Sequence, residues 1–329
     1  MANDIVRADV PIPDEYINEV VKVATQKSAV MQLMRTVPMA RGTATMPVMS
    51  LLATAAWVNP SDTGQKSTSF TEWAGLHLTA EELAVIVPIY ENVLDDATFD
   101  IAGEAQDSIA EALSAAIDQA VLFGTNAPAS FPVGGIYGVA NGAGNFLIRG
   151  SVAGQDVAED INQVMGLVED DGYDPSGFVM RRGMRGKLRG LRDSVGAPIF
   201  SPGDGGVPGL QMKQLDNIYG LPTTYTNLGF IGTSPTADVN DPSADVFTGD
   251  WSMAILGIRR DVTFKIFTEG VVQNPDGTIA INLMQNDAIA IRCVMRAGVA
   301  IARPAARQSL APDAAHQAPF AVLKPVGSS

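Results

Sequence analysis

The sequence predicts an α+β fold in which one long helix is followed by alternating helices and strands and then by a strand-rich segment. Residues 98–124 keep apolar side chains on one side of a helix. Residues 246–302 carry β-branched and aromatic residues in near-alternation, which is typical of strands. The 329 residues are 46% hydrophobic and 18% charged, so the chain is long and apolar enough to build a substantial core.

Residues 1–40 are expected to form an N-terminal arm that packs on something else. Their first part has helical spacing, but Pro38 and Pro47 stop any helix that runs further. No self-contained hydrophobic unit is apparent in this stretch. We therefore expect the arm to lie against the rest of the fold or against another subunit.

Residues 41–90 predict an extended hairpin loop. Two β-type segments flank the turn-rich stretch 59–67. A long two-stranded hairpin is marginally stable alone, yet this one carries Trp57, Phe70 and Trp73. Two interpretations remain open: the aromatic side chains fold back onto the parent domain, or they lie against a neighbouring subunit. Exposed aromatic patches favour the second.

The next two segments are organised around helices. Residues 91–150 contain the helix predicted at 98–124, which Gly124 should end and which is about 40 Å long. Its apolar side is assigned to Ile101, Ala105, Ile109, Ala112, Ala116 and Val121, and Glu104, Asp107, Glu111 and Asp118 are placed elsewhere. Residues 151–245 predict a helix at 156–169 and a strand at 177–180.

The remaining chain is predicted to be strands followed by a tail. Residues 246–306 have the alternation of closing β-strands. Residues 307–329 are rich in alanine and proline and are expected to form an extended C-terminal tail. One apolar knob interrupts that tail, at Phe320, Val322 and Leu323.

A basic run stands out in an acidic chain. Residues 181–192 hold six of the 22 Lys and Arg, although the net charge is −14. A helix over 181–195 would separate an apolar stripe (Met184, Leu188, Leu191, Val195), a glycine sector (Gly183, Gly186, Gly190) and a cationic stripe (Arg181, Arg185, Arg189, Arg192). The cationic stripe could be a solvated surface, a nucleic-acid site or a subunit contact. We favour the contact, in which arginine forks meet carboxylates of an adjacent copy.

Catalytic, cofactor and metal sites find little support in the sequence. No HExxH, CxxC or EF-hand motif occurs, and His77 and His316 are the only histidines. Cys293 could pair with His77 as nucleophile and base, but its strand phase favours a buried structural cysteine. We therefore expect no catalytic residue, no cofactor and no metal, and an enzyme with an unrecognised site stays as an alternative. The acidic balance argues against general affinity for nucleic acid or an anionic membrane.

Six stretches follow one another along the chain: "AAWVNP" (55–60), 117–138, 191–200, 217–227, 246–264 and 286–306. In this order they resemble the major capsid protein of tailed bacteriophages, which has the Hong Kong 97-like fold shared with encapsulin shells. In the hairpin segment "AAWVNP", Asn59 stands where that family commonly has glutamate. The resemblance covers residues 50–306 and implies a structural protein.

The resemblance implies an architecture and a set of partners. The hairpin would extend over the next subunit, the long helix would be the spine of a peripheral domain, and residues 151–245 would form the axial domain. Copies would form hexamers and pentamers of an icosahedral virion shell that encloses double-stranded DNA without sequence-specific binding. Assembly is expected in the host cytoplasm with a separate scaffolding protein and a portal, without a membrane. A decoration protein stays open, and so does an encapsulin-type compartment.

The same family suggests one covalent possibility. Some members join a hairpin lysine to a neighbour's asparagine through an isopeptide bond. Lys66 is similarly placed, and Asn282 and Asn286 are available in the closing strands. A lysine in an exposed turn is usually a solvated charge, so the sequence favours a hairpin without this cross-link.

Overall fold

The computed structural model describes residues 28–55, 57–58, 66, 68–96, 101–151, 154–192, 217–228, 242–274, 276–304 and 317–326. Its helices are α1 (Glu91–Asp96), α2 (Ile101–Phe123), α3 (Gly135–Ala143), α4 (Val157–Asp170) and α5 (Met184–Gly190). Its strands are β1 (Arg35–Pro38), β2 (Thr43–Leu51), β3 (Glu72–Thr79), β4 (Glu81–Tyr90), β5 (Phe146–Ile148), β6 (Gly177–Arg181), β7 (Asn217–Ile218), β8 (Leu221–Thr226), β9 (Val246–Gly249), β10 (Ala254–Phe267), β11 (Val271–Gln273), β12 (Ile279–Asn282), β13 (Ala288–Ile301) and β14 (Phe320–Lys324).

A four-stranded sheet in the order β1-β10-β13-β4 forms the platform on which α2 lies. The long strands β10 and β13 pair antiparallel, and β1 adds in parallel. The N-terminal half of α2 buries Ile109 and Leu113 against Ile291 and Cys293 of β13. The predicted long helix is therefore present. At one of its turns the sequence pattern assigns Ala112 to the apolar side, but Leu113 is the residue that is buried there and Ala112 is exposed.

The second sheet has six strands in the order β5-β14-β9-β6-β8-β7 and is covered by helices on both faces. One face packs against α2 and α3, and the other packs against α4 and α5. Strand β14 shows this division most clearly, because Phe320 and Val322 enter the first core while Ala321 and Leu323 enter the second. A sheet covered on both faces is expected to have strands that are apolar at every position.

The C-terminal segment differs from the extended tail expected from the sequence. Residues Phe320–Lys324 form a buried strand that pairs parallel with β5 and antiparallel with β9. Strand β9 likewise belongs to this second sheet, where it also pairs with β6. The sequence pattern missed this because the partners of β14 are distant in the chain and its five residues, between two prolines, resemble a short apolar knob.

The strand returning from the hairpin is divided in two. The sequence suggested one continuous segment to Tyr90, but β3 ends at Thr79 and β4 begins at Glu81 as a partner of β13. The Ala80 N–H donates to the carbonyl of Gly42 at 2.7 Å, which ties the base of the hairpin together. Gly298 permits this crossing, because a Cβ there would lie 2.4 Å from the Thr79 carbonyl oxygen.

The predicted end of the long helix is correct. Gly124 follows Phe123 with φ +68°, a left-handed conformation that glycine adopts readily. A Cβ at Gly124 would also lie 2.8 Å from the backbone of Gly134. Glycine is therefore required both for the turn and for the close approach of the loop that leads into α3.

Candidate assembly surfaces

The strands β2 and β3 form a hairpin whose base packs against the first sheet. The two strands pair antiparallel from Thr43–Thr79 to Leu51–Glu72, with one bulge. Near the base, Leu78 is buried beside Ile255 and Ala300, and Ala44, Met46 and Leu76 pack around this group. The base of the hairpin is therefore anchored in its own subunit, because one face of β2 and β3 joins the apolar core.

The three hairpin aromatics are exposed in the described part of the subunit. Trp57 is fully exposed, Phe70 is 74% exposed and Trp73 is 64% exposed. Trp73 lies opposite Met49 across the two strands. Indole and phenyl groups of this size dominate interface energetics when they are buried, so an uncovered set on a projecting hairpin is a strong contact candidate.

Lys66 is also exposed on the hairpin, but its proposed cross-link partners are on another element. Asn282 ends β12, and the side-chain amide of Asn286 donates to the carbonyl of Asn282 at 2.9 Å. Within the described part of one subunit, no hydrogen bond joins Lys66 to either asparagine. The absence of an isopeptide bond between Lys66 and an asparagine of another copy stays a prediction.

An apolar recess opens between the C-terminal half of α2 and the first sheet. Its volume is about 180 Å³. The apolar lining comes from Leu83, Ile117, Phe131, Leu256, Met295 and Val299, and Glu81, Glu82 and Gln119 contribute polar atoms. Ser130 donates a 2.8 Å hydrogen bond to the Glu81 carboxylate. The recess can therefore accept an apolar group and place acidic side chains close to it.

The basic run is only partly helical. The helix α5 covers Met184–Gly190, which is shorter than the predicted 181–195, and Leu191 is already extended with φ −65° and ψ 134°. Each glycine in a helix interior destabilises the helix by about 1 kcal/mol relative to alanine. The three glycines of this short run therefore disfavour a longer helix. Met184, Leu188 and Leu191 are buried as expected, whereas Val195 lies outside the described residues.

The four arginines are consequently in different surroundings. Arg181 belongs to β6, and its guanidinium lies 3.9 Å from the buried Asp245 carboxylate, which also pairs with Arg149. The Arg185 guanidinium stacks over the Tyr225 ring at 3.9 Å. Arg181 and Arg185 therefore already serve contacts inside the subunit.

Arg189 and Arg192 are exposed. The Arg189 Nε donates to the carbonyl of Arg185 at 3.3 Å, and an Arg192 guanidinium nitrogen donates to the carbonyls of Arg189 and Leu191. A Cβ on Gly183, Gly186 or Gly190 would meet no described atom within 4 Å. Among the described residues of one subunit, the glycine sector therefore faces open space.

Sequence reasoning missed Asp118, which is 1% exposed on α2. It accepts hydrogen bonds from the Ser28 hydroxyl at 2.6 Å and from the Ala29 and Val30 N–H groups at 3.1 and 3.3 Å. Burial raises the pKa of Asp118, and these three hydrogen bonds oppose that shift. This carboxylate anchors the start of the described chain to the long helix. The 90-residue separation from Ser28 leaves no local signal for it.

The candidate nucleophile and base lie on different strands, Cys293 on β13 and His77 on β3. Cys293 is buried under α2, and burial raises the pKa of its thiol, which disfavours the reactive thiolate. His77 is exposed on the hairpin, where a ring nitrogen lies 3.0 Å from the Thr45 hydroxyl. Among the described residues, no group of three or more His, Cys, Asp or Glu side chains could hold a metal ion. None of the helices in the described ranges is long and apolar enough to cross a membrane.

Comparison with known proteins identifies the family. The model of the phage capsid family matches residues 8–309. The chain belongs to the phage capsid family. The major capsid protein of Staphylococcus phage 80alpha is 25% identical over 313 residues, which cover 93% of this chain and 86% of that protein.

Solved structures agree with this assignment. A chain from Microbacterium phage Oxtober96 is 34% identical with a TM-score of 0.76, covering 94% of this capsid protein and 95% of that chain. One from Mycobacterium phage Adephagia is 29% identical with a TM-score of 0.79, covering 99% of both chains. The α+β, Hong Kong 97-like fold expected from the sequence is confirmed. The protein is a phage major capsid protein, a structural shell component of a family that is not enzymatic.

Proposed function

We propose that this capsid protein assembles into hexamers and pentamers of an icosahedral phage head that encloses double-stranded DNA. Family membership supports the shell role. The exposed hairpin carries the proposal, because Trp57, Phe70 and Trp73 are exposed among the described residues of the subunit. Burying such aromatics between copies supplies the apolar contact that holds a shell together.

The hairpin clamps an adjacent subunit in this proposal. Its base is fixed by the apolar group around Leu78, so the exposed Trp57, Phe70 and Trp73 belong to a hairpin that is anchored in the core of its own subunit. The recess beside α2 is a suitable receiving surface on the neighbour, since most of its lining is apolar and it includes Glu81 and Glu82, whose charge is opposite to that of Lys66. The hairpin aromatics would enter this apolar surface while the opposite charges orient the contact.

The enclosed DNA is held without sequence-specific binding. A subunit of net charge −14 repels phosphate on average, which keeps packaged DNA from adhering to the wall. A separate scaffolding protein, a portal and assembly in the host cytoplasm complete the proposal. These follow from the resemblance to tailed-phage capsid proteins.

The mass of the purified protein in solution tests this function. Size-exclusion chromatography with light scattering should give capsomers of five or six subunits, or closed particles of megadalton mass. The distribution should shift towards particles as protein concentration rises, because the contacts are between identical copies. A protein that stays monomeric or dimeric at every concentration and ionic strength would contradict the proposal.

A further inference from the structure

The two helices that cover one face of the second sheet lie in chain segments of opposite charge. Residues 156–174, which contain α4, hold seven Asp and Glu and no Lys or Arg. Residues 181–192, which contain α5, hold six Lys and Arg and no Asp or Glu. The two helices share one hydrophobic core, so their opposite charges occupy one continuous layer.

The two charged regions lie at different positions across the sheet. Helix α4 packs on β5, β14 and β9, whereas α5 lies beside β6. Arg185 extends this basic side to Tyr225 of β8. The sheet order is β5-β14-β9-β6-β8-β7. The acidic surface therefore lies over β5, β14 and β9, and the basic surface lies over β6 and β8.

Part of this charge is used inside the subunit. Asp160 accepts from the Gly150 N–H at 3.0 Å, and Asp171 accepts from the Asn145 amide and the Ala318 N–H. Asp245 pairs with Arg149 and Arg181. These groups stabilise the fold and are not available for docking.

Exposed charges remain on both sides. Asp170 and Asp174 are exposed at the C-terminal end of α4 and just beyond it. Arg189 and Arg192 are exposed at the end of α5, and their guanidinium groups bond backbone carbonyls in the described part of the subunit. The helix C-terminus has a partial negative charge, so the acidic end of α4 attracts cations more strongly than its side chains alone would.

We infer that the basic α5 surface of one copy docks on the acidic α4 end of the next copy around a capsomer. The two surfaces are different, so the contact is heterologous, and repetition of such a contact closes a ring. Opposite charges steer the copies into register, and guanidinium groups bind carboxylates through paired hydrogen bonds. The bare glycine sector of α5 leaves room for the adjacent copy to approach closely. The inference rests on the proposed function, since it needs capsomers.

Two single-surface variants test this docking. Arg189→Glu with Arg192→Glu makes both surfaces acidic, and Asp170→Lys with Asp174→Lys makes both basic. Each variant alone should raise the concentration needed for ring formation by about tenfold or more, since two attractive pairs per contact become repulsive. Arg189→Lys with Arg192→Lys keeps the charge and should form rings close to the wild-type concentration. Circular dichroism checks that all three remain folded.

Mixing the two single-surface variants gives the sharper result. The acidic α5 surface of the first complements the basic α4 end of the second, and the unchanged surfaces complement each other as well. Rings should therefore form again with the two variants in alternation. Alternation is possible in a ring of six but leaves one like-charged contact in a ring of five. Native mass spectrometry should find six-membered rings of three plus three and a marked loss of pentamers.

The outcomes separate the docking from the proposed function. Wild-type protein run in parallel must form capsomers, and its failure to do so would count against the function itself. If wild type forms rings and the single-surface variants form them equally well, the docking is overturned and the function stands. If the single-surface variants assemble weakly and mixing them does not restore the rings, the docking is also overturned, because the two surfaces then do not meet. Normal rings with defective DNA filling in the arginine variant would assign α5 to nucleic acid instead.

Discussion

Asp118 offers the most direct test of how the capsid subunit is held together. Substituting Asp118→Ala removes the acceptor for the Ser28 hydroxyl and for two backbone N–H groups, all in a buried setting. Ser28 is 5% exposed, so water cannot readily replace the lost partner. A buried donor left without a partner costs about 1–3 kcal/mol. Three such donors give an expected loss of about 3–5 kcal/mol in the free energy of unfolding, after some relaxation.

Two further variants should lose less of the free energy of unfolding than Asp118→Ala does. Ser28→Ala removes one hydrogen bond to a charged acceptor and should cost about 1.5–3 kcal/mol. Asp118→Asn keeps one acceptor oxygen and should fall between wild type and Asp118→Ala. Denaturant unfolding followed by circular dichroism, under conditions that keep the subunit unassembled, measures all three. A surface substitution usually changes the free energy of unfolding by about 0.5 kcal/mol or less. If Asp118→Ala changes it by no more than that, the anchor does not contribute as described.

The pH dependence of the same site has a defined sign. Burial raises the pKa of Asp118 above its ordinary value of 3.8, so between the unfolded and the folded pKa the folded state holds a proton that the unfolded state has lost. The stabilisation that this proton provides is fully present below the unfolded pKa and is lost as pH rises through the folded pKa. Wild type should therefore lose stability relative to Asp118→Asn as pH rises through that window. The opposite slope would mean that the hydrogen bonds outweigh the effect of burial.

Three other predictions concern the hairpin and the C-terminal strand. Trp57→Ala should leave the subunit folded, because this indole is fully exposed, yet weaken assembly by about 2 kcal/mol or more per contact; Trp57→Phe is the control, and particles of normal heat resistance from the alanine variant would refute the clamp. Denaturing gels of assembled particles should show one monomer band, because Lys66 is exposed and an exposed lysine is usually a solvated charge, and a ladder of subunit multiples would establish cross-linking. Leu323→Ala should lower the free energy of unfolding by about 2–5 kcal/mol, since this side chain is fully buried in β14. An unchanged unfolding curve would contradict the placement of β14 in the core.

Elements with a local signal were predictable from the sequence. The long helix, its end at Gly124 and the helix α4 follow from apolar spacing and from glycine, which act within a few turns of chain. The buried positions of Met184 and Leu188 follow for the same reason. The hairpin was found because turn residues separate two β-type segments.

Elements defined by distant partners were not predictable in this way. Strand β14 is specified by pairing with β5 and β9, and five apolar residues between prolines do not reveal which strands accept them. Asp118 lies on a helix face that looks polar, and only the folded chain brings Ser28 to it. The arginine run has the spacing of one helical stripe, but its members divide between β6, α5 and the segment that follows α5. Which of these surfaces meet another copy stays a prediction.

Electron microscopy of the assembled protein tests the central claim, that uncovered hairpins join identical subunits into a shell. The account predicts closed icosahedral particles in which each β2–β3 hairpin crosses to an adjacent subunit and places Trp57 against its apolar surface. Density for Trp57 should then be ordered and enclosed by the neighbour, although the side chain is fully exposed in one subunit. Particles whose hairpins fold back on their own subunits, or a preparation that forms no particles and no capsomers, would contradict it.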